Sequence, residues 1–218
     1  MTLLELSNIS YIVKEKSIIR NVSLSVNQGD YITIVGPSGS GKSTLLKLCS
    51  DLISPTSGTI TYNGRPLTAI DPESYRKEVG YCFQRPYLFA KTVHRNILFP
   101  YDIRGLEPDM SRIEYLFDLL HMPLNYMERR NDELSGGEMQ RICLIRSLIF
   151  EPKVLLLDEV TSALDATNTS IVENVIDELY KKGITIISIT HNEEQSLRTA
   201  NRRITIVDGQ LAKEEVLR

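Results

Sequence analysis

The 218-residue sequence lacks the features that mark several specialised classes of protein. Its three cysteines, Cys49, Cys82 and Cys143, are far apart and match no zinc or redox spacing, so we expect buried thiols in a reducing compartment. Lysine and arginine total 25 against 28 aspartates and glutamates, which gives a net charge of −3 at pH 7. There is no basic surplus for binding a phosphate backbone, and we predict no nucleic-acid partner.

Long apolar runs are also missing. No segment approaches the roughly 18 uncharged apolar residues of a membrane-spanning helix, and the best candidate, residues 142–150, is broken by Arg146. The first seven residues have neither the basic flank nor the apolar stretch of a signal peptide. We therefore expect any connection to a membrane to come through a partner protein.

Residues 36–43 read G-x-x-x-x-G-K-S between an apolar run and a helix-like segment. Strand, glycine loop, lysine, hydroxyl and helix is the order that a phosphate cradle requires, since glycines let several backbone N–H groups turn inward and the helix N-terminus adds partial positive charge. The residues predicted to surround the phosphates are Gly36, Pro37, Ser38, Gly39, Ser40, Gly41, Lys42, Ser43 and Thr44. Lys42 would reach the β and γ phosphates, and the Ser43 hydroxyl would ligate Mg²⁺.

Two acidic residues follow the continuous apolar run at residues 154–157. Such a run predicts a central parallel strand, and an acid at its end faces the crevice where ligands bind in these sheets. We predict that Asp158 holds Mg²⁺, usually through water, and that Glu159 polarises the water that attacks the γ-phosphate. A strand ending in two acids would be ambiguous alone, but the phosphate loop upstream favours function.

A second anion site is predicted by L-S-G-G-E-M-Q-R at residues 134–141. Ser135 is expected to cap a long helix and Glu138 to occupy the capping-box position. Gly136 and Gly137 weaken a helix start, which a purely structural cap does not explain. Because the two glycines have no side chains, the backbone N–H groups at this helix N-terminus are accessible, and an anion would bind there.

The pattern elsewhere alternates strands and helices. Predicted strands cover residues 3–12, 18–26, 31–35, 59–62, 79–83, 154–157, 184–189 and 204–207, and predicted helices cover 113–120, 136–150, 169–181 and 192–200, with a further helix starting at 71–74. Asn63-Gly64 and Asp208-Gly209 predict hairpin turns. Strand-like runs vanish between residues 85 and 150, which indicates a helical subdomain inserted into an α/β core.

The segment at residues 134–141 resembles the signature motif of ATP-binding cassette (ABC) proteins, and the family's other motifs follow in order over nearly the whole chain. Tyr11 resembles the aromatic residue that stacks on adenine, although a tyrosine in a strand is also commonly a packing residue. Gln84 resembles the glutamine that senses Mg²⁺ and water, Asp165 lies in a segment resembling the D-loop, and His191 resembles the histidine that contacts the γ-phosphate. Asn192 follows where the family often has aspartate, a peripheral departure.

This resemblance implies one ATPase domain over residues 1–218. Its α/β P-loop NTPase core would have a mixed, largely parallel sheet and an N-terminal antiparallel β subdomain, formed by about 1–84 and 151–218, with the helical signature subdomain at about 85–150. The implied ligands are ATP and Mg²⁺. The implied catalytic residues are Lys42, Gln84, Glu159 and His191, and the implied metal-contacting residues are Ser43, Gln84 and Asp158.

The resemblance further implies a head-to-tail dimer in which Ser135, Gly136 and Gly137 of one copy cap the ATP on the other. The dimer would energise an integral membrane permease from the cytoplasmic face of the membrane.

Residues 83–89 resemble the groove region that receives a permease helix, with subdomain core as the alternative for Tyr87, Leu88 and Phe89. Residues 52–58, 81–84 and 96–100 resemble the small Fet-type subunits assigned to iron export. Alternatives are a soluble ABC ATPase, for example in iron–sulfur assembly, and an inactive nucleotide-binding regulator.

Overall fold

The computed structural model describes residues 1–190 and 199–217. Its strands are β1 (Thr2–Val13), β2 (Lys16–Asn27), β3 (Tyr31–Val35), β4 (Ser57–Tyr62), β5 (Arg65–Pro66), β6 (Val79–Cys82), β7 (Val154–Asp158), β8 (Thr185–Ile189), β9 (Arg202–Val207) and β10 (Gln210–Val216). Its helices are α1 (Lys42–Cys49), α2 (Pro72–Glu78), α3 (Val93–Asp102), α4 (Met110–Leu119), α5 (Gly136–Leu148) and α6 (Ala166–Lys181). Most of the helix predicted at residues 192–200 lies outside the described residues.

The strands form two sheets. A six-stranded sheet has the order β10-β9-β3-β8-β7-β6, in which only β10 runs antiparallel to its neighbour. A four-stranded antiparallel sheet has the order β2-β1-β4-β5. Every residue of β7 and β8 is buried, as expected for parallel strands covered on both faces. The predicted α/β class, with a largely parallel mixed sheet and an antiparallel β subdomain, is confirmed.

The two predicted hairpin turns are present. Asn63 and Gly64 both have positive φ, of 49° and 72°, and join β4 to β5. Asp208 and Gly209, with φ of 47° and 77°, join β9 to β10. Two consecutive residues in the left-handed region are what a type I′ turn needs, which explains why asparagine or aspartate followed by glycine signals these turns.

Between β6 and β7 the chain forms α3, α4 and α5 together with short 3-10 turns at Leu124–Glu128 and Asn131–Glu133. As expected from the missing strand-like runs, no strand of either sheet lies in this segment. Helix α3 had no prediction of its own because Pro100 lies inside it and disguises the helical pattern. Asp109 caps α4 and starts it three residues earlier than predicted.

Each face of the large sheet has its own hydrophobic core. Leu155, Leu157 and Ile186 belong to the cluster shared with α3, α4, α5 and α6. Leu156, Ile187 and Ile189 belong to the cluster shared with α1 and the antiparallel sheet. Alternation along β7 therefore divides its side chains between the two cores and fixes its orientation. No helix among the described residues is long and apolar enough to cross a membrane.

Candidate nucleotide site

The glycine loop connects the end of β3 to the start of α1. Gly36 has φ of +141°, and a Cβ built there would lie 2.0 Å from the carbonyl oxygen of Ile206, so only glycine fits. Gly41 precedes α1 with φ of +102° and offers no capping side chain. The first N–H groups of α1 are consequently left for a ligand, as in an anion site at a helix N-terminus.

Lys42 lies inside this loop. Its Nζ donates to the carbonyl oxygens of Gly36 and Pro37, each at 2.9 Å. Burial lowers the pKa of Lys42, and the carboxylates of Glu159 and Asp158 oppose that shift. A cavity of about 420 Å³ opens beside the lysine, and its lining comprises Ile18, Ser38, Gly39, Gly41, Lys42, Ser43, Thr44, Gln84 and Glu159.

Asp158 ends β7 with only 4% of its surface exposed. One carboxylate oxygen, Oδ1, accepts a hydrogen bond from the Ser43 hydroxyl at 2.8 Å. The other, Oδ2, accepts from the Tyr81 hydroxyl at 2.8 Å. Burial and the Asp158 carboxylate raise the pKa of Tyr81 far above its ordinary value. The structure thus brings together Ser43 and Asp158, two of the three metal candidates, and adds Tyr81, which the sequence did not mark as a site residue.

Gln84 and Glu159 meet at the mouth of the cavity. The Gln84 amide Nε2 donates to Glu159 Oε2, although the residues are 75 positions apart. Glu159 has φ of +50°, an uncommon conformation for a residue with a side chain, and its carbonyl oxygen accepts from the Ser162 hydroxyl at 2.9 Å. A side chain held on unusual backbone at a ligand cavity is typical of functional sites.

The donor set fits Mg²⁺. The Ser43 hydroxyl, the Asp158 carboxylate and the Gln84 amide carbonyl are hard oxygen ligands around a phosphate-binding loop. Mg²⁺ prefers this arrangement, with few protein ligands completed by waters and substrate phosphates. Among the described residues there is no cluster of three or more histidine, cysteine or acidic side chains that could hold a metal ion.

The signature residues form the predicted capping box. The Ser135 hydroxyl accepts from the Glu138 N–H at 3.3 Å, and Glu138 Oε2 accepts from the Ser135 N–H at 2.7 Å. A Cβ added to Gly136 would meet nothing within 4 Å, whereas one added to Gly137 would lie 3.0 Å from the Asn168 amide. Neither glycine nor Ser135 lines the phosphate-loop cavity, so a single chain does not bring the two anion sites together.

The remaining predicted residues are dispersed. Tyr11 pairs with Ile19 across β1 and β2 and packs against the core, and it does not line the cavity, although Ile18 does. Asp165 caps α6 by accepting from the backbone N–H and side-chain Nδ2 of Asn168, both at 2.8 Å, which lowers the pKa of Asp165. His191 lies outside the described residues.

Comparisons with known proteins identify the family of this chain. The family model described as "ABC transporter" matches residues 19–162. "Probable iron export ATP-binding protein FetA" of Escherichia coli (strain K12) is 42% identical over 205 residues, 94% of this chain and 91% of that protein. "Lipoprotein-releasing system ATP-binding protein LolD 1" of Chlorobium chlorochromatii (strain CaD3) is 39% identical over 212 residues, 93% of this chain and 85% of that protein.

The fold is similar to that of the dimeric ATP-binding cassette MJ0796 in a post-hydrolysis state with ADP and Pi. The TM-score is 0.89 at 27% identity, over 99% of both chains. The chain therefore belongs to the ABC transporter family, as its signature motif predicted. It is an ATP-binding subunit of the ATP-hydrolysing class.

Proposed function

We propose that this chain binds ATP with Mg²⁺ and energises a membrane transporter by closing head to tail on a second copy of itself. The observation that carries the proposal is the separation of two anion-binding helix starts. The start of α1 opens on the phosphate cavity, whereas the start of α5 carries an unobstructed Gly136 and does not line that cavity. A second copy would place its bound phosphate at the start of α5. Its own α5 would contact the phosphate bound by the first copy in the same way.

The chemistry within one half-site follows from its contacts. Lys42 would turn from its carbonyl partners to the β and γ phosphates, and the Ser43 oxygen would bind the metal while its hydrogen still donates to Asp158. Mg²⁺ would neutralise charge developing on the phosphates. Glu159, joined to Gln84, would accept a proton from the attacking water, and His191 would contact the γ-phosphate.

Closure would depend on the γ-phosphate because that group would contact both copies. Ser135, Gly136 and Gly137 of one copy would bind it across the interface, and Asp165 would be near because its partner Asn168 lies beside Gly137. Hydrolysis would remove the contact that favours the closed dimer and so allow reopening. The similar cassette structure, a dimer in a post-hydrolysis state with ADP and Pi, supports the dimerisation and hydrolysis steps of this cycle.

A groove beside the site supports a permease partner. It has a volume of about 350 Å³, and its apolar wall includes Phe83, Phe89, Phe99, Ile103 and Phe150. Exposed large apolar side chains in one patch indicate an interaction surface. Gln84 follows Phe83 directly, so the groove and Glu159 are joined through one residue.

The loop after Gln84 is held by a buried polar network. Asn96 is fully buried and donates to the carbonyl oxygens of Ala90 and Thr92, and Arg146 donates to that of Tyr87. Leu88 packs into the helical core, as the alternative interpretation held, whereas 68% of Tyr87 is exposed. A hydrogen-bonded loop with an outward aromatic suits a partner helix, and we propose that the segment from Gln84 through about Ile103 carries the motion when the nucleotide changes.

The test first asks whether a neighbouring reading frame encodes a multi-span membrane protein and then reconstitutes this chain with that protein. We expect detergent co-purification and ATP hydrolysis that the partner alters. Ile103→Asp in the groove, where the side chain is 53% exposed, should abolish co-purification and leave basal hydrolysis intact. Leu124→Asp, at a 38% exposed side chain outside the groove, is the control and should bind normally.

Binding by both variants would refute the groove assignment. Absence of any membrane partner would favour the soluble alternative, such as iron–sulfur assembly. Iron export is the finer proposal, supported by the 42% identical relative. ATP-dependent transport of iron by the reconstituted complex, from the side of the vesicle membrane that carries this chain, would test it. Such a partner would hold this chain at the cytoplasmic face of the membrane.

A further inference from the structure

We infer that Tyr81 is a positioning residue for Asp158, which orients that carboxylate toward Mg²⁺; the inference rests on the proposed metal site. Neither the P-loop nor the signature motif contains this tyrosine. Its hydroxyl donates to Asp158 Oδ2 at 2.8 Å, while Ser43 donates to Oδ1 at 2.8 Å. The two donors hold opposite oxygens and so fix the plane of the carboxylate.

The consequence appears when the nucleotide and metal bind. Ser43 is the proposed metal ligand, and its oxygen can bind the metal while its hydrogen still donates to Oδ1. Tyr81 is the donor to the other oxygen, Oδ2, and would keep that bond when the metal and its waters bind. Without the tyrosine hydroxyl, Asp158 would keep only the Ser43 donor among the described side chains, and its carboxylate would be free to rotate away from the orientation that the metal-bound waters require. Partners of this kind tune metal affinity strongly.

The tyrosine itself is well anchored. Its ring packs edge to face on Phe83, with centroids 4.6 Å apart, and forms part of the groove wall. Strand β6 pairs in parallel with β7, with Tyr81 opposite Leu156, two residues before Asp158. Because ring and backbone are both held by packing, Tyr81→Phe removes the hydroxyl and keeps the ring in place.

Tyr62 offers a matched control. Its hydroxyl donates to a carboxylate oxygen of Glu78 at 2.7 Å, and its ring packs edge to face on Tyr75 with centroids 5.2 Å apart. It lies on β4, away from the lining of the nucleotide cavity. Tyr62→Phe therefore deletes the same kind of hydrogen bond and should leave metal binding unchanged.

The experiment measures equilibrium binding of a fluorescent, non-hydrolysable ATP analogue during a Mg²⁺ titration, and again in EDTA. Urea unfolding checks that each variant is folded. For Tyr81→Phe we expect the Mg²⁺ concentration at half-maximal enhancement to rise about 10-fold, with binding in EDTA unchanged. Tyr62→Phe should match the wild type in both conditions.

Two results would overturn the inference: a Tyr81→Phe variant with wild-type Mg²⁺ dependence, or one that loses binding equally in EDTA, as a merely structural residue would. Asp158→Asn separates this failure from that of the proposed function. If Asp158→Asn abolishes the Mg²⁺ enhancement and Tyr81→Phe does not alter it, only the tyrosine inference fails. If Asp158→Asn keeps the enhancement, the metal assignment fails and the inference with it.

Discussion

Gly136→Asp separates the stability of one chain from the assembly of two. Gly136 is the first residue of α5, and a side chain there meets no atom of its own chain within 4 Å. Replacing this glycine with a residue that has a side chain reduces the conformational freedom of the unfolded chain, which favours the folded state. An acid in the first turn gains roughly 0.3–1 kcal/mol from the helix dipole, although Glu138 already carries negative charge there. We expect the folded monomer to be as stable as the wild type or slightly more stable.

The dimer should respond in the opposite direction. In the proposed assembly the new carboxylate would face the γ-phosphate bound by the second copy. Two like unit charges about 4 Å apart repel by about 4 kcal/mol at an effective dielectric constant near 20. The closed homodimer contains two such contacts, so the total penalty is about 8 kcal/mol, which corresponds to roughly a millionfold weaker association. Nucleotide binding by the monomer should survive because Gly136 does not line the phosphate cavity.

Sedimentation velocity with ATP is the assay, in a Glu159→Gln background that slows hydrolysis. We expect the parent to sediment as a dimer and the Gly136→Asp version as a monomer at the same concentration. Gly136→Ala is the control, since it adds a side chain without charge, and it should still dimerise. A Gly136→Asp protein that dimerised as readily as its parent would refute the proposed contact between α5 and the second nucleotide.

Three further changes test other parts of the account. Glu159→Gln should slow ATP hydrolysis by about 10²–10⁴-fold while ATP binding survives, and unchanged turnover would refute its role as general base. Lys42→Ala should weaken nucleotide binding itself in a direct binding assay, and normal affinity would argue against the cradle. Arg202→Met should cost about 3 kcal/mol in urea unfolding because it leaves the buried Asp30 carboxylate without its cation. Arg130→Met breaks an exposed pair with Asp132 and should cost less than about 1 kcal/mol; equal losses would contradict this.

The sequence predicted best those features whose cause is local. The glycine loop, the Asn63-Gly64 turn and the capping box of Ser135 each depend on a few neighbouring residues, and the structure contains all three. The buried strands β7 and β8 were equally predictable from the sequence, because continuous and largely apolar runs favour parallel strands that are covered on both faces.

Features that depend on register could not be predicted in this way. Gln84 meets Glu159 across 75 residues, and Tyr81 meets Asp158 only because β6 lies beside β7 in a particular alignment. Helix α3 was missed because packing tolerates Pro100 inside it. Family resemblance, rather than residue patterning, supplied the pairing of Gln84 with the site.

The most direct test of the shared site mixes two inactive proteins. Lys42→Ala lacks a working phosphate loop and Gly136→Asp lacks a working signature, so each homodimer has two defective sites. A mixed dimer has one site in which both halves are intact. The repulsion that opposes closure of the Gly136→Asp homodimer is absent at the intact site of the mixed dimer, so we predict that the mixture hydrolyses ATP well above the average of its two components. A mixture no more active than the average of its two components would contradict the account.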